Sequence, residues 1–157
     1  MDEACGDDGW SQEFIISQGL FALMKAISDT GFIIAFKNRN DQHHRWALDL
    51  ARHVDMPLLT CESVLSEATF HLGSSEAVMA LVSAGMLQVS FDFDQNVEKL
   101  HQLAARYADR SPDLADLCLI RMSELHPHHT VITVDDDFRV YRRNKREAIP
   151  MLCPPRR

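Results

Sequence analysis

Four acidic residues, Asp29, Glu67, Asp116 and Asp135, each fall inside or at the end of an apolar segment, where a carboxylate costs stability. Asp29 closes Ala26-Ile27-Ser28, and Asp135 closes Thr130-Val131-Ile132-Thr133-Val134. Glu67 and Asp116 interrupt apolar helical patterns. Four convergent carboxylates with no cationic partner evident in the sequence cannot all ionise without a counter-charge, and Mg²⁺ or Mn²⁺ supplies one through hard oxygen ligands. Such a centre suits phosphodiester hydrolysis. One ion polarises the phosphate and lowers the pKa of the attacking water, and a second stabilises the leaving oxygen. Taken singly, each acid has an alternative reading as a helix cap or half of an ion pair. Asp113 is most simply the N-cap of the helix that carries Asp116.

Bringing these acids together requires an alternation of strands and helices. Residues 25–28 read as a strand, 30–36 begin a helix, and the polar loop 38–41 ends on Asp41, a cap for a helix over 43–53. A second strand falls over 57–59. Thr60 then caps a helix in which Glu62 favours the positive end and Val64, Leu65, Ala68 and Leu72 form the buried stripe. Gly73-Ser74-Ser75 breaks it, a helix over 76–84 stops at Gly85, and 86–91 is a third strand. Over 94–107, Val97, Leu100, Leu103, Ala104 and Tyr107 recur at helical spacing. Asp113 opens a helix to about residue 125, ended by His126-Pro127. A strand over 130–134, an acidic turn and an edge strand over 138–141 follow.

Strands separated by helices imply an α/β domain with a mainly parallel sheet covered on both faces. Ligands of such sheets gather at the carboxyl ends of the strands, where Asp29 and Asp135 are expected as neighbours. Glu67 shares a helical face with Val64, Phe70 and His71, and Asp116 lies beside Ala115 and Leu117, so both are expected to point inward.

The chain of 157 residues is 46% hydrophobic and 25% charged, which suits one compact core. The apolar run over 14–24 is broken by Ser17, Gln18 and Gly19 and is too short to span a bilayer. Acidic residues precede it where a signal peptide would be basic, so the expected location is the cytoplasm, with no membrane partner. Cys5, Cys61, Cys118 and Cys153 form no C-x-x-C pair and are expected to be reduced, Cys118 in the core. A net charge of −7 argues against passive electrostatic binding of nucleic acid, yet Arg139 to Arg157 carries seven basic side chains against one acid. That segment is either a solvated basic tail or a phosphate-contacting edge beside the acidic centre, with Arg139, Arg142 and Arg143 as candidate contacts.

Taken in order, the four acidic stretches resemble the PIN domain, and within it the toxin ribonucleases of VapC-type toxin–antitoxin pairs. The matching segments are Ser28-Asp29-Thr30-Gly31, the stretch from Leu59 through Glu67-Ala68, Asp113-Leu114-Ala115-Asp116-Leu117-Cys118-Leu119, and Thr133-Val134-Asp135-Asp136-Asp137-Phe138. The approach from Arg106 to Pro112 is also similar. The resemblance implies a three-layer α/β/α fold and a metal-dependent endoribonuclease that cuts single-stranded RNA to leave a 3′-hydroxyl and a 5′-phosphate. It also implies a homodimer held inactive by a cognate antitoxin protein.

Carried over residue by residue, Asp29, Glu67, Asp116 and Asp135 match the catalytic acids. Asp29, Asp116, Asp135 and the auxiliary Asp137 match the Mg²⁺ or Mn²⁺ ligands, and Thr30 matches the hydroxyl beside the first acid. Three consecutive aspartates leave open which of Asp135, Asp136 and Asp137 reaches the metal. The expected organisation is an N-terminal extension over 1–23, which departs from the family pattern and reads alternatively as a short packing helix over 12–23. A nuclease domain over 24–150 and a basic tail over 151–157 follow. The alternative function is a non-catalytic PIN-fold module that binds RNA or protein.

Other clusters are weaker. His126, His128 and His129 lack a Cys or Glu at zinc-ligand spacing and read as an exposed loop. His43 and His44 read as helix-start residues, and Trp46 as core or dimer surface.

Overall fold

A computed structural model describes residues 23–155 of the chain. The expectations for residues 1–22 and for Arg156 and Arg157 lie outside the described residues. The strands are β1 (Ala26–Ser28), β2 (Leu58–Thr60), β3 (Leu87–Val89), β4 (Thr130–Ile132), β5 (Arg142–Arg143), β6 (Glu147–Ala148) and β7 (Met151–Leu152). The helices are α1 (Thr30–Lys37), α2 (His44–Ala51), α3 (Glu62–Leu72), α4 (Ser75–Ser83), α5 (Phe93–Arg106) and α6 (Leu114–Leu125). Short 3₁₀ turns occupy Ala108–Arg110 and Asp136–Val140.

Five strands form one parallel sheet in the order β3-β2-β1-β4-β7. The helices cover both faces, giving the three-layer α/β/α fold. Parallel strands buried on both faces are apolar without alternation. Accordingly Ala26, Ile27 and Ser28 are all buried, and Ile27 lies against Leu59 on one side and Val131 on the other. Helix α6 is enclosed over most of its circumference, with Ala115, Leu117, Cys118, Leu119, Ile120, Met122 and Ser123 buried. β1 sits mid-sheet and α6 mid-core, so the residues at the end of each have little freedom to move. No helix among the described residues is long and apolar enough to cross a membrane.

Several local expectations shift. The stretch expected as an edge strand over 138–141 is instead the 3₁₀ turn Asp136–Val140, because Asp135 caps it with its own carboxylate and Phe138 is buried beneath. Met151 and Leu152, which open the stretch read as a basic tail, are half-buried and form β7 against β4. Thr60 does not cap α3. It ends β2 fully buried, with its hydroxyl donating to Ser28 O at 3.3 Å, and Cys61 takes the cap position without a side-chain bond. Asp41 lies two residues before the cap position, His43: its carboxylate accepts from His43 N, and the helix begins at His44. Phe70 is 82% exposed, and Glu67 lies on the edge of the buried Val64–Ala68 stripe with its side chain 36% exposed rather than inward. Of the residues expected on the apolar face of α5, Leu100 and Leu103 are buried whereas Val97 is exposed.

Candidate metal centre

β1 and β4 are neighbours in register, so the chain leaves both at the same edge of the sheet. Asp29 N donates to Ile132 O at 3.0 Å, which extends the ladder by one residue and fixes where the Asp29 side chain starts. Asp29 then N-caps α1: one carboxylate oxygen accepts from Thr30 N at 2.6 Å. The other accepts the Thr133 hydroxyl at 2.6 Å, and that same Thr133 oxygen accepts from Asp135 N at 3.0 Å. One hydroxyl thereby ties the first acid to the last. Thr30 does the same on the opposite side, its hydroxyl donating to Glu67 Oε2 at 2.7 Å. Gly31 is required between them, since a Cβ there would collide with the Val134 side chain, which is stiff at χ1.

Asp116 arrives on α6, which packs against α3. It sits in the first turn of α6 and forms a capping box with Asp113: Asp116 N donates to Asp113 Oδ1 at 2.8 Å, and Asp113 N to Asp116 Oδ2 at 3.4 Å. The Tyr141 hydroxyl donates to the same Asp116 oxygen at 3.4 Å. Asp113 is thus the N-cap that the sequence indicates.

Electrostatically these groups form one unit. Burial pushes the Asp29 carboxyl up from 3.8 to about 6, against the lowering bonds from Thr133 and Thr30, and the charges of Glu67 and Asp135 add to the rise. Burial likewise lifts Asp116 to about 7, reinforced by the charges of Asp113, Asp29 and Asp135. Tyr141 rises to about 12, from burial and then the charge of Asp116. Among the described residues, no Lys or Arg forms an ion pair with Asp29, Asp116 or Asp135. Among the described residues, the basic group that pairs with one of the four acids is the His71 ring, 4.0 Å from Glu67 and charged only when protonated.

The carboxylates are splayed toward their local donors. Among the described residues, no three His, Cys, Asp or Glu side chains are grouped as a ready-made cage for an ion. The donor chemistry nonetheless fits a hard divalent cation: several carboxylate oxygens whose charges already oppose one another, held by neutral hydroxyl and amide donors. Asp137 is exposed, and its N–H donates to Asp135 Oδ1 at 2.8 Å. Asp136 accepts from Arg139 at 3.0 Å.

The candidate RNA contacts are mostly committed elsewhere. Arg143 donates to Ser123 O, Pro127 O and Glu147 and is only 13% exposed. Arg142 Nη1 holds the Arg139 and Tyr141 carbonyls.

Sequence reasoning missed Thr133 and Tyr141 as partners of the acids. Thr133 had a readable signal, a hydroxyl two residues before a strand-end aspartate. For Tyr141 there was none, since its approach to Asp116 depends on the intervening 3₁₀ turn.

These site residues lie at the carboxyl edge of a parallel sheet that helices cover on both faces. A model of the PIN domain matches residues 26–144, and the chain belongs to the PIN domain family. PIN domains are generally metal-dependent nucleases, typically using Mg²⁺ or Mn²⁺, and the family implies a nucleic-acid substrate. A search of curated proteins finds no match to the chain.

Proposed function

We propose that this protein is a Mg²⁺- or Mn²⁺-dependent endoribonuclease that hydrolyses single-stranded RNA and serves as the toxin of a toxin–antitoxin pair. In this reading it is a cytoplasmic homodimer held inactive by a cognate antitoxin protein. The observation that carries the nuclease reading is the raised carboxyl of Asp29, buried at the strand edge and opposed by Glu67 and Asp135. Burial and neighbouring like charge disfavour its anion, and a cation beside it would reverse that. Asp29, Asp116 and Asp135 would hold the metal, with Asp137 as auxiliary ligand and Glu67 as the fourth catalytic acid. The ion supplies a Lewis acid for the phosphate and a lowered pKa for the attacking water. The chain's own part is to orient. Thr133 and Thr30 fix the Asp29 and Glu67 oxygens, and Tyr141 and Asp113 fix Asp116. Arg142, exposed beside the site with Nη1 on two backbone carbonyls, would meet the RNA backbone through its remaining N–H groups.

The toxin role is supported by the order of the four acidic stretches. The nuclease unit is proposed to run from Met24, whose backbone bonds to His53 O and Asp55 N, through β7.

Asp29→Asn keeps the shape and removes the charge. It is expected to abolish cleavage of single-stranded RNA while the protein stays folded, and EDTA is expected to do the same to the unaltered chain. Undiminished cleavage by purified Asp29→Asn would exclude the metal centre. Growth arrest on expression, relieved by the product of an adjoining reading frame, tests the toxin role separately.

A further inference from the structure

The 139–157 segment concentrates positive charge in an acidic protein, and the structure divides its described cations into two groups. Arg139 pairs with Asp136 at 3.0 Å, Arg142 Nη1 donates to the Arg139 and Tyr141 carbonyls, and Arg143 is spent on two carbonyls and Glu147. Lys145 and Arg146 differ. They stand exposed at the turn between β5 and β6 and make no hydrogen bond or ion pair among the described residues.

The turn itself is rigidly mounted. Asn144 N donates to Glu124 Oε1 at 2.9 Å, Asn144 Nδ2 donates to Glu147, and Arg143 anchors the incoming strand to Ser123 and Pro127. Two consecutive residues take left-handed backbone, Asn144 at φ 46° and Lys145 at φ 72°. Asparagine tolerates that region, but a lysine there is strained where glycine would not be. Neither packing nor hydrogen bonding explains a lysine at this position, whereas its charge has a use.

That use follows from where the turn lies. The hairpin leaves the acidic centre at Tyr141, which touches Asp116, and is pinned at its far end to Glu124. Asp116 and Glu124 are eight residues apart on α6, about 12 Å along its axis at 1.5 Å per residue. An extended strand crossing the carboxylates and passing exposed Arg142 reaches Lys145 and Arg146 within a few nucleotides. We propose that the 144–146 turn is a phosphate-binding arm, in which Lys145 and Arg146 hold the backbone of single-stranded RNA away from the carboxylates that cut it. The inference rests on the nuclease reading above but involves residues beyond the segment matched to the family, which ends at residue 144.

The test is the salt dependence of binding. Anisotropy of a labelled single-stranded oligoribonucleotide is followed in EDTA, so that no cleavage is needed. Each phosphate contact on a single strand contributes about 0.7 to the slope of log K against log salt. Lys145→Ala with Arg146→Ala is expected to lower that slope by about 1.4, and to raise KM in the cleavage assay with kcat little changed. Lys145→Gly alone is expected to move two readouts in opposite directions: the melting temperature rises as the backbone strain is relieved, while the RNA slope falls by about 0.7. An unchanged slope in both variants overturns the arm, as does an unaltered chain whose RNA binding is insensitive to salt. Loss of binding to a polyglutamate peptide with RNA binding intact assigns the turn to an acidic protein partner and also overturns it. If the slopes fall as expected but Asp29→Asn still cleaves, the arm stands and the metal centre does not.

Discussion

The two ends of α6 treat charge in opposite ways. At its N-terminal end Asp116 faces the charges of Asp113, Asp29 and Asp135, is partly buried, and is held by neutral donors alone. At its C-terminal end the charges are matched. Arg121 pairs with Glu124 at 2.8 Å and also donates to Asn96, Glu124 in turn accepts from Asn144, and Arg143 joins the same knot through Ser123 O. One helix therefore carries a frustrated end and a satisfied end. The satisfied end holds the fold together, whereas the frustrated end costs stability and is where a cation has something to gain.

The sharpest way to break this contrast is to neutralise the frustrated end. Asp116→Asn should lower the cleavage rate by on the order of 10²–10³-fold or more, as losing several kcal/mol of metal-based stabilisation requires. In EDTA the same variant should melt higher than the unaltered protein, because one opposed carboxylate is gone. A lower melting temperature would show that Asp116 is structural.

Arg121→Ala probes the satisfied end, and there the signs reverse. Removing the guanidinium leaves Glu124 Oε2 and Asn96 Oδ1 without the donor each has in the folded protein and should cost about 1–3 kcal/mol, read as a lower denaturation midpoint. Cleavage per folded molecule should be unchanged. A fall in kcat at full folding would mean that the two ends are coupled.

The pH dependence of stability tests the electrostatic half of the contrast directly. Asp29 and Asp116 titrate at about 6 and about 7 in the folded protein against 3.8 ordinarily, so between these values the native state holds protons that the unfolded chain has released. Their stabilising contribution is complete below about pH 4 and is lost as the pH rises through 6 and 7. In EDTA the melting temperature of the unaltered chain should therefore decline between pH 4 and 8 relative to the Asp29→Asn, Asp116→Asn double variant. Parallel curves would remove the electrostatic half of the contrast. Added Mg²⁺ should oppose the decline, because the ion binds the deprotonated carboxylates and stabilises the folded state.

Much of the architecture was legible from the chain alone because it depends on local patterns. Short runs without polar–apolar alternation at Ala26-Ile27 and Val131-Ile132 mark strands buried on both faces, helical spacing at Leu100 and Leu103 marks the buried face of α5, and Asp113 declares itself a cap. An aspartate closing such a strand is anomalous enough to single out Asp29 and Asp135 as site candidates. What the chain could not reveal is how those acids are held. The bond from Thr133 to Asp29 joins residues 104 apart and exists only because β1 and β4 pair in a particular register. Whether a basic residue faces solvent or a carbonyl, as Lys145 and Arg143 respectively do, turns on the turn geometry and on what α6 presents beneath it. Periodicity reports which residues are buried, because burial recurs with the local helix or strand repeat. Partners across elements depend on register and packing, and those are properties of the assembled fold.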